Sequence, residues 1–370
     1  MAGLGDNPAM SVQWFPGHMH ATRKAIGERV PDIDVVIELL DARLPGSSEN
    51  PLLAELTAGK PSLKVLNKQD IADAATTEAW LAHFRARPDT RAIGLDASVK
   101  APAQALVQAC RALVPNRGGM AKPVRVLICG VPNVGKSTLV NTLAGRKLAK
   151  TGDEAGITKT EQRINLATDC YLFDTPGMLW PRIRIETSGW LLAAAGSVGR
   201  NAYDEQEVAM ALLERTVVRH PDALRQRYKL TDAHLGLPAE QLLEEIGRRR
   251  AALMSGGRIN WQKAAEVVLN DFRAGAWGRM TLETPEEFIA WEAQAVLRDA
   301  EREAKIAART AARKAGRKAL IGDPRGLRPL GDEADDEADE PDAELDLDDD
   351  DAPTGAPSDG ADGLAPDDRG

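Results

Sequence analysis

The sequence predicts an α/β domain, with a mostly parallel sheet and helices on both faces, followed by an all-α domain and an acidic tail. Three observations carry this. Over the first 200 residues, six short aliphatic runs alternate with helical stretches, the order that lays parallel strands under crossover helices. Beyond about Glu186 the strand signals stop. Residues 331–370 hold 18 acids and one Arg, cannot bury a core, and should be disordered.

The strands are read at Val35–Leu40, Leu63–Leu66, Ala92–Leu95, Val124–Cys129, Arg163–Ala167 and Cys170–Phe173. Each is short and aliphatic or β-branched, as a strand buried on both faces should be. Helices are expected near Glu49–Ala58, Thr77–Arg85, Pro102–Leu113 and Lys136–Leu143. Residues 204–296 read as helical, with breaks at His220-Pro221, Gly236–Pro238, Ser255–Gly257 and Gly275–Gly278. The resulting division is an extension at 1–12, the α/β domain at 13–198, a helical domain at 199–296, a basic helical arm at 297–330 and the tail at 331–370.

Composition narrows the function classes. The net charge of −9 averages a tail of −17 with a body of +8, and residues 302–328 alone carry nine bases against two acids. A polyanion-binding surface is therefore expected despite the acidic total. Three widely spaced cysteines, Cys110, Cys129 and Cys170, exclude a disulfide framework and a multi-cysteine zinc site and fit a reducing cytosol. No apolar run approaches the ~18 residues of a membrane span, and no secretory signal is visible. A cytoplasmic protein with no membrane partner is expected.

The chemistry begins at Gly130-Val-Pro-Asn-Val-Gly-Lys136-Ser137, which matches G-x-x-x-x-G-K-[ST] between a strand and a helix. Backbone N–H groups from Asn133, Val134 and Gly135 through Ser137 and Thr138 can cradle phosphates at the helix N-terminus. Lys136 would reach the β and γ phosphates, and the Ser137 hydroxyl would ligate magnesium. Asp174-Thr-Pro-Gly177 supplies the second carboxylate the magnesium needs, directly after a strand. Gly177 would offer its N–H to the γ-phosphate. Thr158 is the candidate switch threonine for the metal, with Thr160 as the alternative.

Base identity comes from Asn67-Lys68-Gln69-Asp70. A carboxylate at Asp70 accepts from both N1–H and the 2-amino group of guanine, donors that adenine lacks. Lys68 can lay its stem over the base. Asp96-Ala97-Ser98 follows the next strand and can aim a backbone N–H at the guanine O6. Phosphate loop, D-x-x-G and N-K-x-D together specify GTP and GDP. Their order is unusual, because the base segment precedes the phosphate loop by 63 residues and does not recur downstream. That is a circular permutation of the P-loop GTPase domain, and it leads the D-x-x-G region straight into the helical domain.

This combination resembles the circularly permuted GTPases of ribosome assembly, and most closely the bacterial RbgA (YlqF) family, over about residues 10–285. Gln13-Trp-Phe-Pro-Gly-His18-Met, Leu40-Asp-Ala-Arg-Leu-Pro45 and Ser255-Gly-Gly…Phe272-Arg-Ala-Gly…Gly278-Arg are family-like as well. The resemblance implies a GTP-hydrolysing factor acting on the large-subunit precursor and its rRNA, stimulated by that particle and monomeric away from it. A permuted GTPase acting on another RNA or the small subunit, or a GTP-dependent binding module with negligible hydrolysis, are the alternatives.

Met178 stands where Ras-like enzymes carry the glutamine that orients the attacking water, so intrinsic turnover should be slow. The resemblance nominates His18 for that task, with an RNA contact or a turn cap as the plainer alternatives and His20 as a local rival. It also makes Asn133 a candidate potassium ligand, against the simpler reading of an Asn that tolerates a tight loop. Arg248-Arg249-Arg250, Arg258, Lys263, Arg273 and Arg279, with Trp261 and Trp277 interleaved, are candidates for RNA contact, although such tryptophans are commonly core residues.

Overall fold

The computed structural model describes residues 12, 14–118, 121–146 and 162–321. The chain divides into two compact units, 1–309 and 310–370. Of the second unit only the helix running to Ile321 is described. The acidic tail, Thr158 and Thr160 lie outside the described residues.

Six strands form one sheet: β1 (Val35–Asp41), β2 (Ser62–Asn67), β3 (Thr90–Gly94), β4 (Val124–Cys129), β5 (Gln162–Ala167) and β6 (Cys170–Asp174). Their order is β3-β2-β1-β4-β6-β5. All neighbours are parallel except β5, which returns antiparallel to β6 at the edge. Each expected strand is present within two residues of its read bounds. All seven residues of β1 are buried, as the centre of a parallel sheet requires.

The helices of the α/β part are α1 (Gly17–Arg29), α2 (Pro51–Leu56), α3 (Ala74–Arg85), α4 (Lys100–Leu113) and α5 (Lys136–Ala144). Two of them start on side-chain caps. Asn50 accepts from the Leu52 and Leu53 N–H groups ahead of α2, and Asp73 accepts from Thr76 ahead of α3. α1 was not among the expected helices. It buries only Met19, Thr22 and Ile26, one of them polar, so it carries no apolar stripe to read.

After β6 the described chain is helical: α6 (Glu186–Ala194), α7 (Glu205–Arg219), α8 (Pro221–Tyr228), α9 (Asp232–Leu235), α10 (Ala239–Arg249), α11 (Trp261–Arg273) and α12 (Pro285–Ile321). α7 packs against α6, α8, α10 and α11. These helices share one continuous apolar core with the sheet. Trp277 belongs to that core, is 5% exposed, and donates its indole N–H to the Tyr228 hydroxyl at 2.9 Å. It is therefore not available to stack on a base.

A second apolar cluster joins Leu40, Leu66, Trp80, Leu81 and Phe84 to Phe288 of α12. Gly46 permits the approach, since a Cβ there would lie 2.6 Å from both the Phe288 and Trp80 rings. Beside it Glu283 is fully buried, accepting from the Ser47 N–H at 2.8 Å and the Ser47 hydroxyl at 2.5 Å. Burial pushes its carboxyl up to about 7, against the hydrogen bonds from Ser47 and Gly46.

A carboxyl that holds its proton more tightly when folded stabilises fully below its ordinary 4.5 and loses that contribution as pH rises through about 7. Glu283→Gln removes the titration. Urea unfolding at pH 5 and pH 8 should show the variant gaining on the natural protein as pH rises, by roughly 2–3 kcal/mol. A pH-independent difference would contradict the assignment.

Candidate functional site

The parallel strands β1, β2, β4 and β6 end at one edge of the sheet, and the sequence motifs meet there. The phosphate loop follows β4. Gly130 has φ 147°, and a Cβ on it would sit 2.5 Å from the Leu39 carbonyl oxygen of β1. Gly135 has φ 104°, and a Cβ there would lie 2.3 Å from Asn67 Nδ2. Both positions need glycine for conformation and for space.

Asn67 is the joint between the motifs. Its amide Nδ2 donates to the Val134 carbonyl at 2.8 Å, and its Oδ1 accepts from the Ala97 N–H at 2.8 Å. The base segment, the phosphate loop and the Asp96–Ser98 turn are thus held together by one buried amide. Asp96 caps its own turn, accepting from the Ser98 N–H and hydroxyl at 2.8 and 2.7 Å. Asp70 is exposed at the surface of the base segment. Lys68 has φ 64° and donates to Asp41 Oδ2 at 2.8 Å and to the Asn133 carbonyl at 3.2 Å.

Lys136 and Asp174 form the electrostatic centre. The Lys136 ammonium is buried and folds back on its own loop, donating to the Gly130 and Val131 carbonyls at 2.9 and 2.8 Å. Burial pulls it down to about 8, opposed by Asp174. Asp174 is 1% exposed, and among the described residues neither carboxylate oxygen has a hydrogen-bond partner within ordinary distance. Burial pushes it up to about 6, opposed by Lys136. Gly177 closes the arrangement: a Cβ there would lie 2.8 Å from Pro132 and 3.1 Å from Lys136 Nζ. A buried carboxylate that only accepts and meets no donor is suited to a cation. A buried ammonium tied to backbone carbonyls is suited to exchange them for phosphate oxygens.

Met178 is fully buried; its N–H donates to the Gly130 carbonyl at 3.2 Å, and its carbonyl accepts from Asn50 Nδ2 at 2.7 Å. Its side chain belongs to the core. His18 is exposed on the first turn of α1, with its ring edge-on to Trp14 at 6.2 Å. The next residue, Met19, is buried and accepts from the Leu179 N–H at 3.4 Å. The helix carrying His18 is therefore fastened one residue beyond Met178.

The Asn133 amide nitrogen donates to the Gly196 carbonyl at 2.6 Å, and the Ser197 hydroxyl to Pro132 at 2.8 Å, bracing the phosphate loop against the turn after α6. Ser137 and Thr138 lie half-buried on the first turn of α5. Several of the candidate RNA-contact arginines are engaged within the protein. Arg248 and Arg249 pair with Glu244 and Glu245, Arg250 lies over the Tyr228 ring, and Arg273 donates to the Ala193 and Ala194 carbonyls.

Sequence reasoning passed over Asn50, Asp41 and Arg43 as site residues. Their signal is polar side chains at the buried end of a central strand, where an unpaired polar group is costly.

A family model described as "50S ribosome-binding GTPase" matches residues 125–231. The match begins within β4, so it takes in the phosphate loop and Asp174 and leaves the base segment outside, consistent with the permuted order. Among curated proteins, ribosome biogenesis GTPase A of Bacillus cereus is 41% identical over 288 residues, covering 75% of this chain and 96% of that protein. Mitochondrial ribosome-associated GTPase 1 of Mus musculus is 32% identical over 296 residues, covering 74% and 90%. The fold is similar to that of GNP-bound YlqF from T. maritima, with a TM-score of 0.51 and 24% identity over 72% of this chain and 98% of that one. With its permuted motif order, and with 41% identity over nearly the whole length of a curated member, the chain belongs to the ribosome biogenesis GTPase A family.

Proposed function

We propose that this protein is a GTP-binding and GTP-hydrolysing factor that assists assembly of the large ribosomal subunit. It works in the cytoplasm, contacts rRNA, and is monomeric away from the particle. The observation that carries the reading is the buried Lys136–Asp174 arrangement beside Gly177, joined through Asn67 to a base segment ending in Asp70. The relatives' names supply the ribosomal context.

In this reading the phosphate loop from Asn133 to Thr138 wraps the phosphates with backbone N–H groups. Lys136 leaves the Gly130 and Val131 carbonyls for the β and γ phosphate oxygens. Ser137 and Asp174, with Thr158, hold magnesium, which when bound offsets negative charge on the phosphates. The two Asp174 oxygens, unpartnered among the described residues, fit that role. The Gly177 N–H reads the γ-phosphate. Asp70 and Lys68 recognise guanine, with Asp96 and Ala97 at its O6 side. Asn133 is the proposed potassium ligand, through its amide oxygen, since an amide nitrogen donates and does not ligate a cation.

Met178 cannot position water from the core, so turnover by the free protein is slow. His18 takes that task when the particle is bound. The exposed stretch of α12, with Arg302, Lys305 and Arg309, supplies basic charge toward RNA, and residues 331–370 act as an acidic spacer or competitor.

Asp70→Asn should lower GTP affinity at least tenfold, about 1.4 kcal/mol, and raise affinity for XTP, whose C2 carbonyl accepts from the new amide. Equilibrium titration with both nucleotides decides it; unchanged preference removes Asn67–Asp70 from base recognition.

His18→Ala should keep GTP and GDP affinity near that of the natural protein and cut particle-stimulated turnover by ~10²–10⁴-fold. Single-turnover hydrolysis with saturating large-subunit precursor is the measurement. Unchanged stimulated turnover returns His18 to an RNA contact or turn cap.

RNA affinity should fall steeply with added salt, because each neutralised phosphate releases counterions. Deleting residues 331–370 should leave affinity unchanged or raise it. A clear loss on deletion overturns the spacer or competitor role of the tail.

A further inference from the structure

Arg43 is one of the largest fully buried side chains in the protein, at 1% exposure. A buried guanidinium needs a partner for its charge and for its donors. Its Nε and Nη2 make a fork on Asp41, at 3.0 Å to Oδ1 and 2.8 Å to Oδ2. Its own backbone N–H adds a third bond to Asp41 Oδ1 at 3.0 Å. The fork fixes the carboxylate plane. Asp41 Oδ2 is also the acceptor for Lys68 Nζ. The orientation of Lys68 is therefore set, through Asp41, by Arg43.

The same arginine holds both ends of the loop between α11 and α12. Its Nη1 donates to the Phe272 carbonyl at 2.7 Å, and its guanidinium lies 4.3 Å from the centre of the Phe272 ring. Its own carbonyl accepts from the Leu282 N–H at 2.7 Å. Between these anchors the loop lies against the base segment. The Met280 N–H donates to the Ile71 carbonyl at 3.0 Å, and Arg279 Nε to the Asp70 carbonyl at 3.1 Å. Gly275, at φ +69°, comes so close to Ile71 that a Cβ would lie 2.6 Å from its side chain. None of these loop atoms belongs to a nucleotide motif.

We propose that Arg43 is a positioning residue for guanine recognition: through Asp41 it fixes Lys68, and by holding the Phe272–Leu282 loop behind Asp70 it makes the base site depend on how the end of α11 is packed. The helical layer then acts on nucleotide affinity at the base, in addition to any path through the phosphate loop. This rests on the reading of Asn67–Asp70 as the base site, which Asp70→Asn tests by itself.

Two variants test the inference on the full chain. Arg43→Lys keeps the charge and loses the fork and the Phe272 bond, because an ammonium cannot reproduce the planar donor set. Gly275→Ala touches neither Lys68 nor the phosphate loop and presses on Ile71 from the loop side. Each should raise the Kd for GDP and the KM for GTP about tenfold while kcat at saturation stays within about twofold, the signature of lost binding that is equal in ground and transition states. General destabilisation has the opposite signature, a lower kcat from fewer folded molecules at unchanged KM. Wild-type KM in either variant, with a thermal melt within a few degrees of the natural protein, overturns the proposal. So does a fall in kcat at unchanged KM. Should Arg43→Lys not fold, Gly275→Ala decides alone. If both folded variants bind GTP normally while Asp70→Asn still turns preference toward XTP, the base site stands and the coupling is wrong.

Discussion

One buried amide holds the permuted site together. In the sheet, β2 and β4 are separated by β1, so the segment that follows β2 must reach across a strand to meet the loop that follows β4. Asn67 spans that gap with its amide nitrogen, which donates to Val134, while its oxygen accepts from Ala97 beyond the neighbouring strand β3. No charged or apolar side chain could replace it, because the span needs a donor and an acceptor on one short planar group. Gly135 is the counterpart, since a side chain there would occupy the space of the amide. The phosphate loop, the base segment and the Asp96 turn keep a fixed mutual geometry only while that contact holds.

Around this joint, buried charge is matched in some places and left unmatched in others. Lys64 is paired with Glu38 at 2.5 Å and Glu49 at 2.7 Å, and Arg87 closes the set on Glu49. Glu38 in turn seats Asn50, accepting from its N–H at 2.9 Å, and Asn50 holds the Met178 carbonyl. That network is satisfied, and it fixes the backbone just past Gly177. Asp174 is the contrast: it is equally buried, yet its oxygens have no hydrogen-bond partner among the described residues. An unpaired buried carboxylate costs several kcal/mol, so a fold retains it where a ligand repays the cost.

Much of this was legible in the sequence because it is local. The phosphate loop and D-x-x-G each declare themselves within eight residues, directly after aliphatic strands. The strands are nearly continuous apolar runs and are hard to mistake. What could not be read depends on distance along the chain. Arg43 meets Phe272 from 229 residues away, and nothing near either residue announces the other. The resemblance makes Asn133 a candidate potassium ligand, and nothing local to the loop announces that its nitrogen meets Gly196, in a segment with no motif. α1 stayed hidden because three buried residues, one a threonine, leave no periodic stripe. Trp277 could have been core or surface on composition alone, and its burial beside Phe272 and Tyr228 separates the two.

The backbone of Lys68 carries a conflict of its own. At φ 64° and ψ 30° it occupies left-handed space, which disfavours a side chain by about 1–2 kcal/mol and suits glycine. The ammonium at the end of that side chain is tied to both Asp41 and Asn133. Selection for a more stable turn and selection for a fixed side chain therefore pull this position in opposite directions. Keeping lysine there leaves the turn after β2 slightly loaded, held by contacts at the tip of a long side chain and not by its own conformational preference. Such a turn is free to relax when those contacts open, so the shape of the Asn67–Asp70 segment depends on the charge partner of Lys68 as well as on its own backbone.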